Sequence, residues 1–190
     1  MGAHQSRYNN CKALLITAII MSVLTQKEIM SRIEQGHIEV DPFDPDSVGP
    51  ASIDFHLGRQ FRVFEPSEQI YHLDNKADYQ DITRLTTVED HFVLNPNRMV
   101  LGITQERLKL GPNLCGWIEG RSSIGRIGLT VHITAGFIQP GVNNKQVLEI
   151  YNSAPVPLAL HPGTAICQIV FQETIGEAYY QGQYQGQESP

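Results

Sequence analysis

From residue 53 onward the chain is a succession of short apolar runs, each cut off by a Pro, Gly or Asn turn signal. Runs of about four to eight residues bounded by such signals are strand-sized and too short for most helices. Ile53, Phe55 and Leu57 alternate with Asp54 and His56, and Phe61 and Val63 keep the same odd phase. A period of two marks a strand with one buried face. Further runs follow at Phe92–Leu94, Met99–Thr104, Cys115–Glu119, Leu129–Thr134, Gln146–Asn152, Pro157–Leu160 and Ala165–Phe171. Turn signals at Asn95-Pro96-Asn97, Gly111-Pro112-Asn113, Gln139-Pro140-Gly141 and Pro162-Gly163 separate them. Many short strands at this spacing predict an all-β sandwich, jelly roll or distorted barrel. Residues 65–90 are polar and read as an excursion over the surface.

One short helix precedes the strands. Thr25 and Glu28 fit a capping box, Leu24 and Ile29 stand at staple positions, and Gly36 is a stop signal. Together they predict a helix over about 26–35. Upstream, the apolar run from Ala13 to Leu24 is shorter than the about 20 residues that span a bilayer. Arg7 and Lys12 before it lack a clear cleavage site after it, and Gly2 and Ser6 match a lipidation pattern only at chance spacing. Residues 1–20 therefore read as an N-terminal extension whose order the sequence leaves open, and 21–190 as a single domain.

Composition excludes several function classes. At 190 residues, with 41% hydrophobic and 18% charged residues, the chain is an ordinary one-domain globule. A net charge of -6 argues against nonspecific nucleic-acid binding, so an anionic ligand needs a local cationic cluster or a cation. Cys11, Cys115 and Cys167 are odd in number and widely spaced, which predicts a reducing compartment such as the cytoplasm. The P-C-x-x-C segment of zinc deaminases is missing, so the lone H-x-E match at His37-Ile38-Glu39 lacks its metal partners; the Walker phosphate loop, the G-x-S-x-G elbow and G-x-G-x-x-G are missing as well. A hydrolase with this sequence must activate water with side chains.

Three features can carry chemistry. Gly120-Arg121-Ser122-Ser123-Ile124-Gly125-Arg126 packs two arginines, two hydroxyls and two glycines into seven residues. It reads either as a solvated turn or as an anion cradle, since arginine grips phosphate oxygens bidentately and glycine admits backbone amides. Glu149 lies in the apolar run Val147-Leu148-Glu149-Ile150-Tyr151. It is either on a solvated strand face or partly desolvated, and desolvation would raise its pKa toward neutrality. The Gly- and Gln-rich tail from Tyr179 to Gln187 reads as a free end or as a flap that closes on a ligand.

The run Gly120–Gly141, GRSSIGRIGLTVHITAGFIQPG, followed by Val147–Asn152, resembles the dCTP deaminase branch of the dUTPase superfamily. The segment Pro50–Gly58, Val100-Leu101-Gly102, Pro162-Gly163 through Gln168 and the YQGQ tail resemble it as well, so the likeness covers most of residues 21–190 in order. It implies a distorted jelly roll of the dUTPase-like β-clip kind, assembled as a homotrimer with active sites between subunits. It further implies dCTP as substrate, with dUTP and the feedback ligand dTTP as related ligands. Mg²⁺ would ride on the triphosphate rather than in a protein cage, and no zinc is expected.

By the same resemblance, Glu149 is the general acid/base, helped by Ser122 and Arg126. Arg121, Ser122, Ser123, Ile124, Gly125 and Arg126 take the triphosphate, water and base. Ala135 lies beside the pyrimidine, and Gln139, Val147, Leu148, Gln168, Tyr180, Gln183 and Gln187 supply further ligand contacts. Tyr179 is an alternative to Tyr180. The implied reaction is hydrolytic deamination of dCTP to dUTP and ammonia. Gly136 and Phe137 after Ala135 are similar to members that also cleave the triphosphate and release dUMP, so a bifunctional enzyme is the alternative.

Two positions depart from the family pattern. Gln139 replaces an acidic residue, and an amide accepts a hydrogen bond but cannot act as a base. Gln183 replaces a lysine and removes one positive charge from the tail. These changes keep open a third reading, a nucleotide-binding regulatory trimer without catalysis; a plain dUTPase fits less well, because Gln139 lacks the acid such enzymes use on water.

Overall fold

A computed structural model describes residues 22–190. The targeting readings and the 1–20 extension lie outside these residues. The described chain enters along the sheet: Val23 bridges to Gln172, and the Leu24 amide donates to the Phe171 carbonyl at 2.9 Å.

Helix α1 spans Gln26–Glu34. Thr25 is its N-cap, but its side chain makes no capping bond. Glu28 instead pairs with Arg32 one turn on, at 3.0 Å. The predicted capping box therefore does not form; the better partner for that carboxylate is a guanidinium at i+4. Leu24 and Ile29, at the staple positions, are both buried in the core. The helix ends at Gln35, ahead of Gly36, whose φ of 72° is the left-handed conformation that glycine adopts at low cost.

The strands are β1 (Ile38–Asp41), β2 (Ile53–Phe64), β3 (Thr83–Thr87), β4 (Phe92–Leu94), β5 (Met99–Leu110) and β6 (Leu114–Gly120). A single helical turn, α2 (Ser122–Gly125), precedes β7 (Leu129–Thr130), β8 (Phe137–Ile138), β9 (Asn143–Asn152), β10 (Leu158–Leu160) and β11 (Ala165–Glu173). Nine of these strands form one antiparallel sheet ordered β7-β9-β5-β2-β11-β6-β8, with β1 added to β5 and β3 added to β2. β4 and β10 pair separately. The register shifts between Leu57 and Phe61, between Ile103 and Arg107, and between Ala165 and Cys167. Such irregularities bend and twist a sheet, and here they curl it into the predicted distorted all-β fold.

The odd-phase residues Ile53, Phe55, Leu57 and Phe61 are buried, and with Leu148, Ile150 and Phe171 they fill the centre of the curl. Burial of each such side chain contributes about 1.5–3 kcal/mol. Along β9 the even residues face this core and the odd residues Lys145, Val147, Glu149 and Tyr151 face away, half-buried. From Val147 to Tyr151 that alternation separates the outer face from the core face, while Asn144 and Gln146 near the start of the strand also line a cleft.

The strand at Leu129–Thr134 is shorter than expected and stops at Thr130, because the amides of Ile133 and Thr134 donate to a side chain instead of a neighbouring strand. The polar stretch 65–90 runs mostly over the surface, but its end adds β3 to the edge of β2.

Candidate active site

β5, β9 and the loop between β7 and β8 surround a cleft of about 540 Å³. Glu149 is the one carboxylate among its lining residues. The Ile133 and Thr134 amides donate to Oε2 at 2.9 and 2.7 Å, and the Thr134 hydroxyl donates to Oε1 at 2.7 Å. Burial pushes the Glu149 carboxyl up, but these donors and the neighbouring His132 outweigh it and hold the group below the ordinary carboxylate range. This corrects the expectation of a raised pKa: hydrogen bonds to the charged form win over partial desolvation. Glu149 rests as a carboxylate and is ready to accept a proton.

His132 also lines the cleft, and both of its ring nitrogens are buried without a hydrogen-bond partner. Ala135, Phe137, Gln139 and Val147 face the same space. Phe137 is braced against Trp117, with ring centroids 4.9 Å apart. A side chain at Gly136 would press on the Ile118 carbonyl at 3.3 Å and the His132 ring at 3.4 Å, so the loop lies flat against β6 there.

The tail covers the cleft rather than trailing away. The Tyr180 amide donates to the Pro140 carbonyl at 2.8 Å, Gly186 to Asn143 at 3.0 Å, and Lys145 to Gln187 at 3.0 Å. Tyr180, Tyr184 and Gln187 thereby become part of the wall. Glu188 pairs with Arg107, and Lys145 stands 3.9 Å from it. Gln183 lies just outside, in a second cleft between residues 75–80 and 183–189.

Other expected contacts fall elsewhere in the single chain. The side chain of Leu148 is fully buried on the core face of β9, opposite Glu149, so period-two geometry keeps it out of the cleft. None of Arg121, Ser122, Ser123, Ile124, Gly125 and Arg126 lines the cleft. Arg121 pairs with Asp54 at 2.9 Å and donates to the Ala165 carbonyl at 3.0 Å. Ser122 and Ser123 are exposed on α2, and Ile124 packs against the core. Arg126 is exposed and has no ion-pair partner among the described residues. Gln168 supports this turn from β11: it accepts from the Ser52 hydroxyl at 2.7 Å and donates to the Gly120 carbonyl at 3.0 Å.

Thr134, Ile133 and His132 are the site neighbours that sequence reasoning missed. They stand 15 to 17 positions from Glu149, and only the fold brings them to it. Tyr184 and Lys145 were missed too; the alternation of β9 around Glu149 was the signal for Lys145.

The model of the dCTP deaminase-like family matches residues 23–174. A protein of Corynebacterium kroppenstedtii named "dCTP deaminase, dUMP-forming" is 40% identical over 177 residues, covering 88% of this chain and 94% of that one. A protein of the same name from a Nocardioides species is 39% identical, over 88% of this chain and 92% of its own. Among solved structures, the 2'-deoxycytidine 5'-triphosphate deaminase of Agrobacterium tumefaciens superposes with a TM-score of 0.63 at 20% identity. That superposition spans 80% of this chain and 48% of the Agrobacterium chain, and shows a shared fold. With the family match across nearly the whole described chain, and with the curled antiparallel sheet that goes with it, the chain belongs to the dCTP deaminase-like family.

Proposed function

We propose that the chain is a dUMP-forming dCTP deaminase, converting Mg²⁺-bound dCTP and two waters to dUMP, ammonia and pyrophosphate. The observation that carries this reading is Glu149, ionised and fixed by three donors at a cleft wall beside Ala135. The shared name of the curated relatives and the Gly136-Phe137 pair favour dUMP over dUTP, the simpler product expected from the sequence.

Glu149 accepts a proton from water as the oxygen adds to C4 of cytosine, and passes that proton to the ring nitrogen N3. It then moves the new hydroxyl's proton to the amino group, which leaves as ammonia as the C4 carbonyl forms. A positioned acid/base of this kind contributes about 10²–10⁴-fold. A second water displaces pyrophosphate at the α-phosphorus. Gln139 can orient that water but cannot deprotonate it.

The triphosphate partners come from a second copy of the chain in a homotrimer. Arg126 is free to reach an adjacent subunit's cleft, and Ser122, Ser123 and the α2 backbone would follow it there. Gln168 acts through the Gly120 carbonyl rather than on the ligand. Among the described residues no helix is long and apolar enough to cross a membrane, and Cys115 and Cys167 are unpaired. The unpaired thiols fit a reducing compartment such as the cytoplasm.

Mixing two inactive variants tests the shared site. Glu149→Gln and Arg126→Ala chains, each silent alone, regain ammonia release when refolded together, because some clefts then pair an intact Glu149 with an intact Arg126. No recovery in mixed trimers overturns the shared site. Binding of dCTP by the wild type without release of ammonia supports the regulatory reading instead.

A further inference from the structure

We propose that Asp90, His91 and His161 form a surface site for a divalent transition ion of the Zn²⁺ class, which clips the β4–β10 ribbon together. The ladder of these two strands pairs Leu160 with Phe92, so one step further along it sets His161 opposite His91. Their rings lie 5.2 Å apart, tilted by 43°. Asp90 sits between them, with one oxygen 2.6 Å from Nδ1 of His91 and the other 3.8 Å from Nδ1 of His161. The donor atoms of all three residues lie within 4.8 Å of one another.

These distances suit a shared ion. Ligands held about 2.0–2.2 Å from tetrahedral zinc stand roughly 3.3–3.6 Å apart. The two Asp90 separations bracket that span, so small rotamer adjustments complete the site. Two imidazoles and one carboxylate select borderline transition ions over Mg²⁺ or Ca²⁺, which prefer all-oxygen shells. Three protein ligands leave a coordination position for water.

The scaffold under the cluster is already fixed. Phe92 stacks on the buried Phe61 ring at 4.8 Å, and Leu94 and Leu160 are buried. Asn152 donates to the Leu94 and Val156 carbonyls, both at 2.9 Å, tying the ribbon to β9. The ion therefore meets ligands held just beyond the adjoining ends of two strands far apart in sequence, and its binding stabilises their pairing by mass action. None of the three residues lines the cleft that holds Glu149.

The test is calorimetric titration of the chelator-treated full-length chain with Zn²⁺, set beside a His91→Ala/His161→Ala double variant. The wild type takes up one equivalent more than the double variant, and Zn²⁺ raises the denaturation midpoint of the wild type only. Asp90→Asn keeps both imidazoles and weakens this equivalent at least about tenfold. Co²⁺ gives a visible absorption band in the wild type that the double variant lacks. Equal Zn²⁺ uptake by wild type and double variant, or equally tight Mg²⁺ uptake at this cluster, overturns the proposal.

Discussion

Thr134 and Glu149 are joined twice: the amide and the hydroxyl of the threonine donate to different oxygens of the same carboxylate, each at 2.7 Å. These two hydrogen bonds, with the Ile133 amide and His132, keep a half-buried glutamate in an apolar strand ionised. It also ties the Glu149 carboxylate to the loop that supplies Ala135 to the cleft.

Thr134→Val keeps the shape of the side chain and removes the hydroxyl donor. Losing a donor to the charged form raises the Glu149 pKa, so the base is protonated at a higher pH. The acid limb of the kcat/KM profile moves up by roughly one pH unit, the worth of one hydrogen bond of about 1–1.4 kcal/mol, so activity falls about 5- to 10-fold on that limb and little at neutral pH, where the carboxyl stays ionised. Thr134→Ser restores the profile. A pH–rate series on the three proteins checks this.

The same group links stability to pH. Its folded pKa is depressed, so its contribution is present above the unfolded carboxylate value and is lost as pH falls through the folded one. Glu149→Gln lacks that contribution at every pH. Denaturant titrations at neutral and acid pH therefore differ less for this variant than for the wild type.

Gln139 faces the cleft, at the position where the sequence resemblance implies an acid. Gln139→Asp supplies a second carboxylate able to take a proton from water. The variant raises the rate of the dUTP-to-dUMP step by about tenfold or more, a part of the about 10²–10⁴-fold that a well-positioned base contributes. Feeding dUTP alone and separating nucleotides by chromatography measures it.

Truncation after Gln181 removes Tyr184 and Gln187 from the cleft wall without touching the buried core. It lowers kcat/KM at least about a hundredfold, as loss of substrate positioning does, and leaves the far-UV spectrum unchanged. Glu188→Gln affects the same tail only slightly. Its ion pairs are largely exposed and contribute about 0–1 kcal/mol, a change in KM of no more than about fivefold.

The architecture was legible because strands declare themselves locally. The alternation of Ile53, Phe55, Leu57 and Phe61 and the turn signals between runs are short-range facts, and burial follows them. Thr25 and Glu28 show the limit of that logic, since Arg32 took the glutamate that a capping box required. β3 escaped notice because an edge strand with an exposed face carries little apolar signal. At the site, Glu149 stood out as a charge in a greasy run. Its Thr134 anchor, the roof made by Tyr184 and the grip of Asp54 on Arg121 are contacts across sheet and loop that no local pattern encodes. Leu148 fell on the wrong side for a simple reason: adjacent residues of a strand face opposite ways.

The most direct test of the role given to Glu149 is product analysis with Mg²⁺ and dCTP on the wild type and Glu149→Gln, paired with a dCTP-binding measurement on the variant. The account predicts dUMP, pyrophosphate and ammonia from the wild type, and bound dCTP with no ammonia from the variant. Ammonia release by Glu149→Gln at the wild-type rate would contradict it.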